Sequence, residues 1–151
     1  MNMENTRELF QIMTRQFALL NKNCCSVGSL DISPVQSHIL FEVSRQHKPS
    51  MQEIAETLGT DITTFSRQVQ SLIKLNLLQK TPDSTDRRVY TLSLTTEGQI
   101  VADSIERQMN DYLDEVFSHL TVFEKETVLR SVRLFNEALA KLEMNCNPVS
   151  G

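Results

Sequence analysis

Glycine and proline are scarce in this 151-residue sequence, with four of each, and there are only three cysteines. No glycine-rich run is present to cradle a phosphate, no nucleophile elbow interrupts the chain, and there is no internal repeat or low-complexity segment. Cys24, Cys25 and Cys146 are too few for a disulfide framework. His38, His47 and His119 stand apart, with no pair at the i, i+4 spacing that would set two imidazoles on one helix face. The longest stretch without a charged side chain runs from Ile32 to Phe41, well short of the roughly 20 apolar residues that span a bilayer. Glu4 and Glu8 stand where a secretory signal would be basic and then apolar. The expectation is a cytoplasmic protein with no membrane partner. Asp111, Asp114 and Glu115 cluster on one stretch, but such a cluster is more often a solvated face than a metal site. With no catalytic constellation assembled, the chain is not expected to be an enzyme.

What is present is enough apolar material, 40% of residues, for one domain with a sizeable core. The net charge of −4 argues at first against a polyanionic partner, but the charge is unevenly placed. Residues 1–32 hold three basic and three acidic groups, residues 33–95 seven and six, and residues 96–151 five and ten. The acidity is concentrated in the last third. Basic groups at a contact surface matter more than the total, because counterion release depends on the phosphates touched.

The most informative stretch is 50–94. Ser50 and Glu53 have the spacing of a capping box, and Met51, Ile54, Ala55 and Leu58 follow at one-stripe helical spacing. Gly59 ends that helix. Asp61 is placed to cap a second, whose apolar positions are Ile62, Phe65, Val69, Leu72 and Ile73. Two helices joined by a short glycine-containing turn are the helix-turn-helix of DNA-binding proteins. The opposite face of the second helix carries Thr63, Thr64, Ser66, Arg67, Gln68, Gln70 and Ser71, with short hydrogen-bonding groups and no acid. An ordinary solvated face would be richer in Glu and Lys. Arg can bond guanine O6/N7 in two places, Gln can do the same with adenine, and a Thr methyl can meet the thymine methyl.

A hairpin follows. Leu78–Thr81 and Val89–Leu94 are expected to pair, with Tyr90, Leu92 and Leu94 on one side. Between them, Pro82-Asp83-Ser84-Thr85-Asp86 is turn chemistry, and Arg87 and Arg88 then project where a phosphate backbone or minor groove can be reached. Asp86 is read as the residue that orients one of them.

Residues 4 to about 22 read as a helix striped by Phe10, Met13, Phe17 and Leu20 and widened by Leu9, Ile12 and Leu19. Residues 24–29 then form a loop. Ser33, Pro34 and Gln36 open the next helix, with Val35, Ile39 and Val43 as its buried face. After the hairpin a long helix runs from Thr95 to about Ser118. A second capping box at Thr121 and Glu124 opens a last helix to about Met144, whose Val128, Val132, Phe135, Leu139 and Leu142 repeat like a helix–helix seam.

The run from Pro82 to Arg88, followed by Leu92-Ser93-Leu94-Thr95-Thr96-Glu97-Gly98, resembles the wing and following helix start of the MarR family of bacterial transcriptional regulators. The helix-turn-helix, the length and the flanking helices fit the same pattern, so the resemblance covers nearly the whole chain. It implies a homodimer that binds a pseudo-palindromic operator in double-stranded DNA and responds to a small molecule or to thiol chemistry.

The expected fold is therefore mainly α with a small β-hairpin wing. A winged helix-turn-helix head at 33–94 sits with dimerisation helices at 1–32 and 95–151, all within one domain, 1–151. The expected function is a sequence-specific DNA-binding repressor. Its rival is a winged-helix protein–protein module without operator binding, which the acid-free helix face and the Arg87/Arg88 tip disfavour. The residues specify no certain cofactor beyond a thiol-bound metalloid or metal ion. Cys24 and Cys25, adjacent and read as part of a loop, with Cys146 as a third sulfur, would suit a thiophilic metalloid, a soft metal ion or an oxidant.

Overall fold

The computed structural model describes residues 5–24 and 26–142, with nothing to be said of the side chains at 21–26. The chain divides into two compact units, Met1–Asn110 and Asp111–Gly151.

In the first unit, α1 (Thr6–Cys24) leads into a two-residue-per-strand hairpin, β1 (Ser26–Val27) and β2 (Leu30–Asp31). The expected loop at 24–29 is thus partly structured. Gly28, at φ +61, makes the tight turn that brings Val27 opposite Leu30, and both pack against the core. Cys24 is the last residue of α1, not a loop residue; Cys25 and Cys146 lie outside the described residues.

Helix α2 (Pro34–Arg45) has its complete capping box, in which Ser33 Oγ accepts from the Gln36 backbone N–H and the Ser33 N–H donates to Gln36 Oε1. Ile39 and Val43 are buried as expected, but Val35 is 41% exposed and Gln36 and Leu40 take the inward face. With 100° between residues, position 35 lies off the 36–39–40–43 stripe. At α3 (Met51–Leu58) the capping box is half made. Ser50 Oγ accepts from Glu53 N–H at 3.0 Å, but the Glu53 carboxylate does not accept from the Ser50 N–H, while Ser50 is bridged to Thr91 of the hairpin.

Gly59, at φ 63, ends α3, and Asp61 starts α4 (Ile62–Lys74). Phe65, Val69 and Leu72 are fully buried, whereas Ile62 is 54% exposed. The wing is β3 (Leu78–Pro82) against β4 (Tyr90–Leu94), antiparallel, with Leu78 opposite Leu94 and Pro82 opposite Tyr90. Leu92 is buried and Tyr90 is exposed, because Tyr90 lies at the wing's outer end beyond the core. The first part of α5 (Thr96–Phe117) sends Val101 and Ile105 into the same core as Ile39, Leu40, Ile54, Phe65, Leu72 and Leu92.

In the second unit, the end of α5 turns through Ser118–Leu120 into α6 (Val122–Ala140), opened by the expected capping box of Thr121 and Glu124. Lys125 Nζ stands 5.3 Å over the Phe117 ring. The seam residues Val128, Val132, Phe135, Leu139 and Leu142 are all exposed in the single chain, as are Leu9, Phe10, Ile12, Met13, Phe17 and Leu19 of α1.

Candidate nucleic-acid interface

The exposed face of α4 is set by how its two ends are fixed. At the start, Asp61 Oδ1 accepts from Thr64 N–H at 3.0 Å and Oδ2 from the Thr64 hydroxyl at 2.7 Å. Those bonds, the Thr64 hydroxyl first, hold the Asp61 carboxyl below the usual carboxylate range, helped by the nearby Arg67 charge. At the end, Asn76 adopts the left-handed conformation at φ 60. Its N–H donates to Ile73 O at 2.9 Å and the Leu77 N–H to Leu72 O at 3.0 Å, the double bond pattern of a Schellman cap.

With the core stripe at 65–69–72 buried, helical periodicity turns 63, 67, 70 and 74 outward. Thr63, Ser66, Arg67, Gln70, Ser71 and Lys74, with Ile62 at one edge, line a single open groove on the surface. Arg67 is central and Lys74 adds a second cation. Lys74 falls at i+7 from Arg67, and that spacing is the signal by which it could have been picked out. Gln68 is half-buried on the flank, and the Thr64 hydroxyl donates its hydrogen bond to Asp61. The groove therefore gathers Thr63, Ser66, Arg67, Gln70 and Ser71 from the expected face and leaves Thr64 and Gln68 at its margin.

The wing tip is folded by its own acids. Asp83 Oδ2 accepts from the Thr85 hydroxyl at 2.5 Å and from Asp86 N–H at 3.2 Å, which lowers the Asp83 pKa. Asp83 N–H donates to Val89 O at 2.8 Å, and Val89 N–H to Asp86 O at 3.0 Å, closing the loop. Asp86 Oδ1 accepts from both the backbone N–H of Arg88, at 3.1 Å, and its Nε, at 3.2 Å. The Arg88 side chain is still 91% exposed, so it is aimed without being buried. Arg87 is exposed and has no ion pair among the described residues. Further down the wing, Lys80 Nζ lies 4.4 Å from the Tyr90 ring centroid.

Among the described residues, no group of three or more His, Cys, Asp or Glu is placed to hold a metal ion, and no helix is long and apolar enough to cross a membrane.

A short helix, a glycine turn, a second helix with an acid-free outer face and an adjacent basic-tipped hairpin define a winged helix-turn-helix. Residues 30–89 match the model of the MarR family. The chain is 32% identical over 87 residues to the HTH-type transcriptional regulator PapX of Escherichia coli, covering 58% of this chain and 53% of PapX. It is 29% identical over 80 residues to the HTH-type transcriptional repressor MdtR of Bacillus subtilis, covering 53% of this chain and 52% of MdtR. The matched segment thus spans about half the length of each of these curated relatives. A crystal structure of MarR superposes with a TM-score of 0.79 at 20% identity, covering 93% of this chain and 94% of that one, a likeness that carries the fold. The similarity to the MarR family lies in the winged-helix segment, residues 30–89.

Proposed function

We propose that the chain is a sequence-specific DNA-binding transcriptional regulator, a repressor, acting in the cytoplasm as a homodimer on a pseudo-palindromic operator. The observation that carries the proposal is the groove along α4, where Thr63, Arg67, Gln70 and Lys74 form one exposed, acid-free stripe. Arg67 and Gln70 there have the donor patterns for base edges. Arg87 and Arg88 would hold the phosphate backbone and fix the register of the helix in the groove.

Dimerisation is the reading that accounts for the two apolar helix faces left exposed on α1 and α6, and PapX and MdtR are named as transcriptional regulators. Control by a small molecule or by a thiol-directed agent acting through Cys24, Cys25 and Cys146 is part of the same proposal.

The test is selection of bound fragments from a random DNA pool, followed by titration of the recovered site. A two-fold-related consensus with half-sites about one helical turn, roughly 34–36 Å, apart is expected. Recovery of no consensus would refute it. Operator binding by the parent and by Cys24→Ser/Cys25→Ser, with and without arsenite, zinc and peroxide, tests the thiol arm. A parent indifferent to all three refutes that arm.

A further inference from the structure

We infer that Thr95 is a positioning residue whose hydroxyl completes the junction that locks the recognition helix α4 to α5, so that the two move as one body. The inference rests on the DNA-reading proposal for its functional consequence and on geometry for the lock itself. Thr95 is buried, at 9% exposure. Its hydroxyl has one proton to give and lone pairs to receive with. The proton goes to the carbonyl of Asn76 at 2.6 Å, at the left-handed residue that terminates α4. The oxygen accepts from Gly98 N–H at 2.9 Å, which makes Thr95 the N-cap of α5.

The backbone repeats the tie. Thr95 N–H donates to Leu77 O at 3.1 Å, extending the β3–β4 ladder one step beyond the Leu78–Leu94 pair. Gly98 then packs so closely on that strand that a Cβ would lie 2.0 Å from Leu77 O. Four constraints therefore converge on Asn76, Leu77, Thr95 and Gly98. None of these residues is a free connector of the sort that absorbs a change of angle. The consequence is that whatever sets the direction of α5 sets the direction of Arg67 and Gln70, and α4 has no independent adjustment to a mis-spaced half-site.

The experiment has two arms on the full chain. In the first, amide hydrogen exchange is read on the DNA-free protein. The Gly98 and Thr95 amides are expected to be protected like those of core residues Leu72 and Leu92. Thr95→Val, of the same shape without the hydroxyl, should lower Gly98 protection by roughly tenfold or more while the α4 core amides keep theirs. Thr95→Ser, which keeps the hydroxyl, should restore it.

In the second arm, affinity is compared between the selected operator and the same operator with one base pair inserted between half-sites. The parent should discriminate sharply, Thr95→Val should lose most of that discrimination with a smaller effect on a single half-site, and Thr95→Ser should recover it. A merely stabilising role would lower both affinities together.

Junction amides that exchange as fast as surface amides in the parent overturn the lock. Unchanged discrimination in a folded Thr95→Val protein overturns the positioning role. A parent that selects no DNA refutes the DNA-reading proposal, and the exchange arm still decides the lock.

Discussion

Gly98→Ala sets two effects of opposite sign against each other. Gly98 is the third residue of α5 and has no positive φ, so helix propensity alone favours alanine there by about 0.5–1 kcal/mol. The added Cβ, however, would stand 2.0 Å from Leu77 O, 2.9 Å from Leu77 C and 3.3 Å from Leu77 Cα, all backbone atoms of a paired segment. A carbon approaches a carbonyl oxygen to about 3.3 Å, so helix and strand must part by roughly 1 Å.

That shift strains the packing of Val101 and Ile105, at about 1–3 kcal/mol. It also stretches the two Thr95 bonds to Asn76 and Leu77, at about 1 kcal/mol each. The steric side wins, with a net loss of about 2–4 kcal/mol. Thermal unfolding at one fixed protein concentration, so that self-association does not move the midpoint, should show Tm lower by about 5–15 °C. An alanine protein as stable as the parent, or more so, would mean that propensity rules at this position and that the close approach is wrong.

Arg87→Ala should weaken binding to all DNA sequences and reduce the salt slope by about one unit, the loss of one phosphate contact; a slope equal to the parent's in titrations from low to moderate salt removes the wing from the interface. Substituting Arg67 or Gln70 by alanine should cost about 1–3 kcal/mol at particular base pairs and leave others untouched, which a panel of single-base operator variants reads directly. Asp61, Asp83 and Glu124 are each held below the usual carboxylate range by hydrogen bonds, from Thr64, from Thr85 and Asp86, and from Thr121 respectively. The folded state therefore binds their protons less readily than the unfolded chain, so this stability is full at neutral pH and lost below about pH 4 as pH falls through the lowered values. Acid unfolding of Asp61→Asn and Asp83→Asn should be less steep than the parent's, and superimposable curves would contradict the caps.

Sequence periodicity was a good guide wherever a helix had both a stripe and a stop signal. Helices α3 and α4 were legible because Ser50, Gly59 and Asp61 mark their ends and Ile54, Phe65, Val69 and Leu72 mark their inner faces. The 26–31 hairpin was not, because two residues per strand are too few for alternation to register. Spacing alone points Val35 and Ile62 inward, but each sits at the first turn of its helix, where an apolar residue at the edge of a stripe can as easily lie beyond the core as in it. A four-residue repeat from Val35 skips Leu40, which is buried.

The groove on α4 was legible as a composition, short polar groups without acid, but its membership depends on a quantity the sequence does not state, the rotation of the helix about its axis. Burial of Phe65, Val69 and Leu72 fixes that rotation, and it then divides the polar residues. Lys74 and Gln70 turn to the centre with Arg67, and Thr64 and Gln68 to the edge. The contacts that hold the rotation are furthest from view in the sequence. Asn76 and Thr95 are 19 residues apart, and no local pattern pairs them, since the partner of the Thr95 proton is a backbone carbonyl that any residue could supply. The Asn at 76 and the Gly at 98 were present as single letters. Only when β3 and β4 pair do they meet, one because the chain must turn left-handed at the end of α4, the other because nothing larger fits against Leu77.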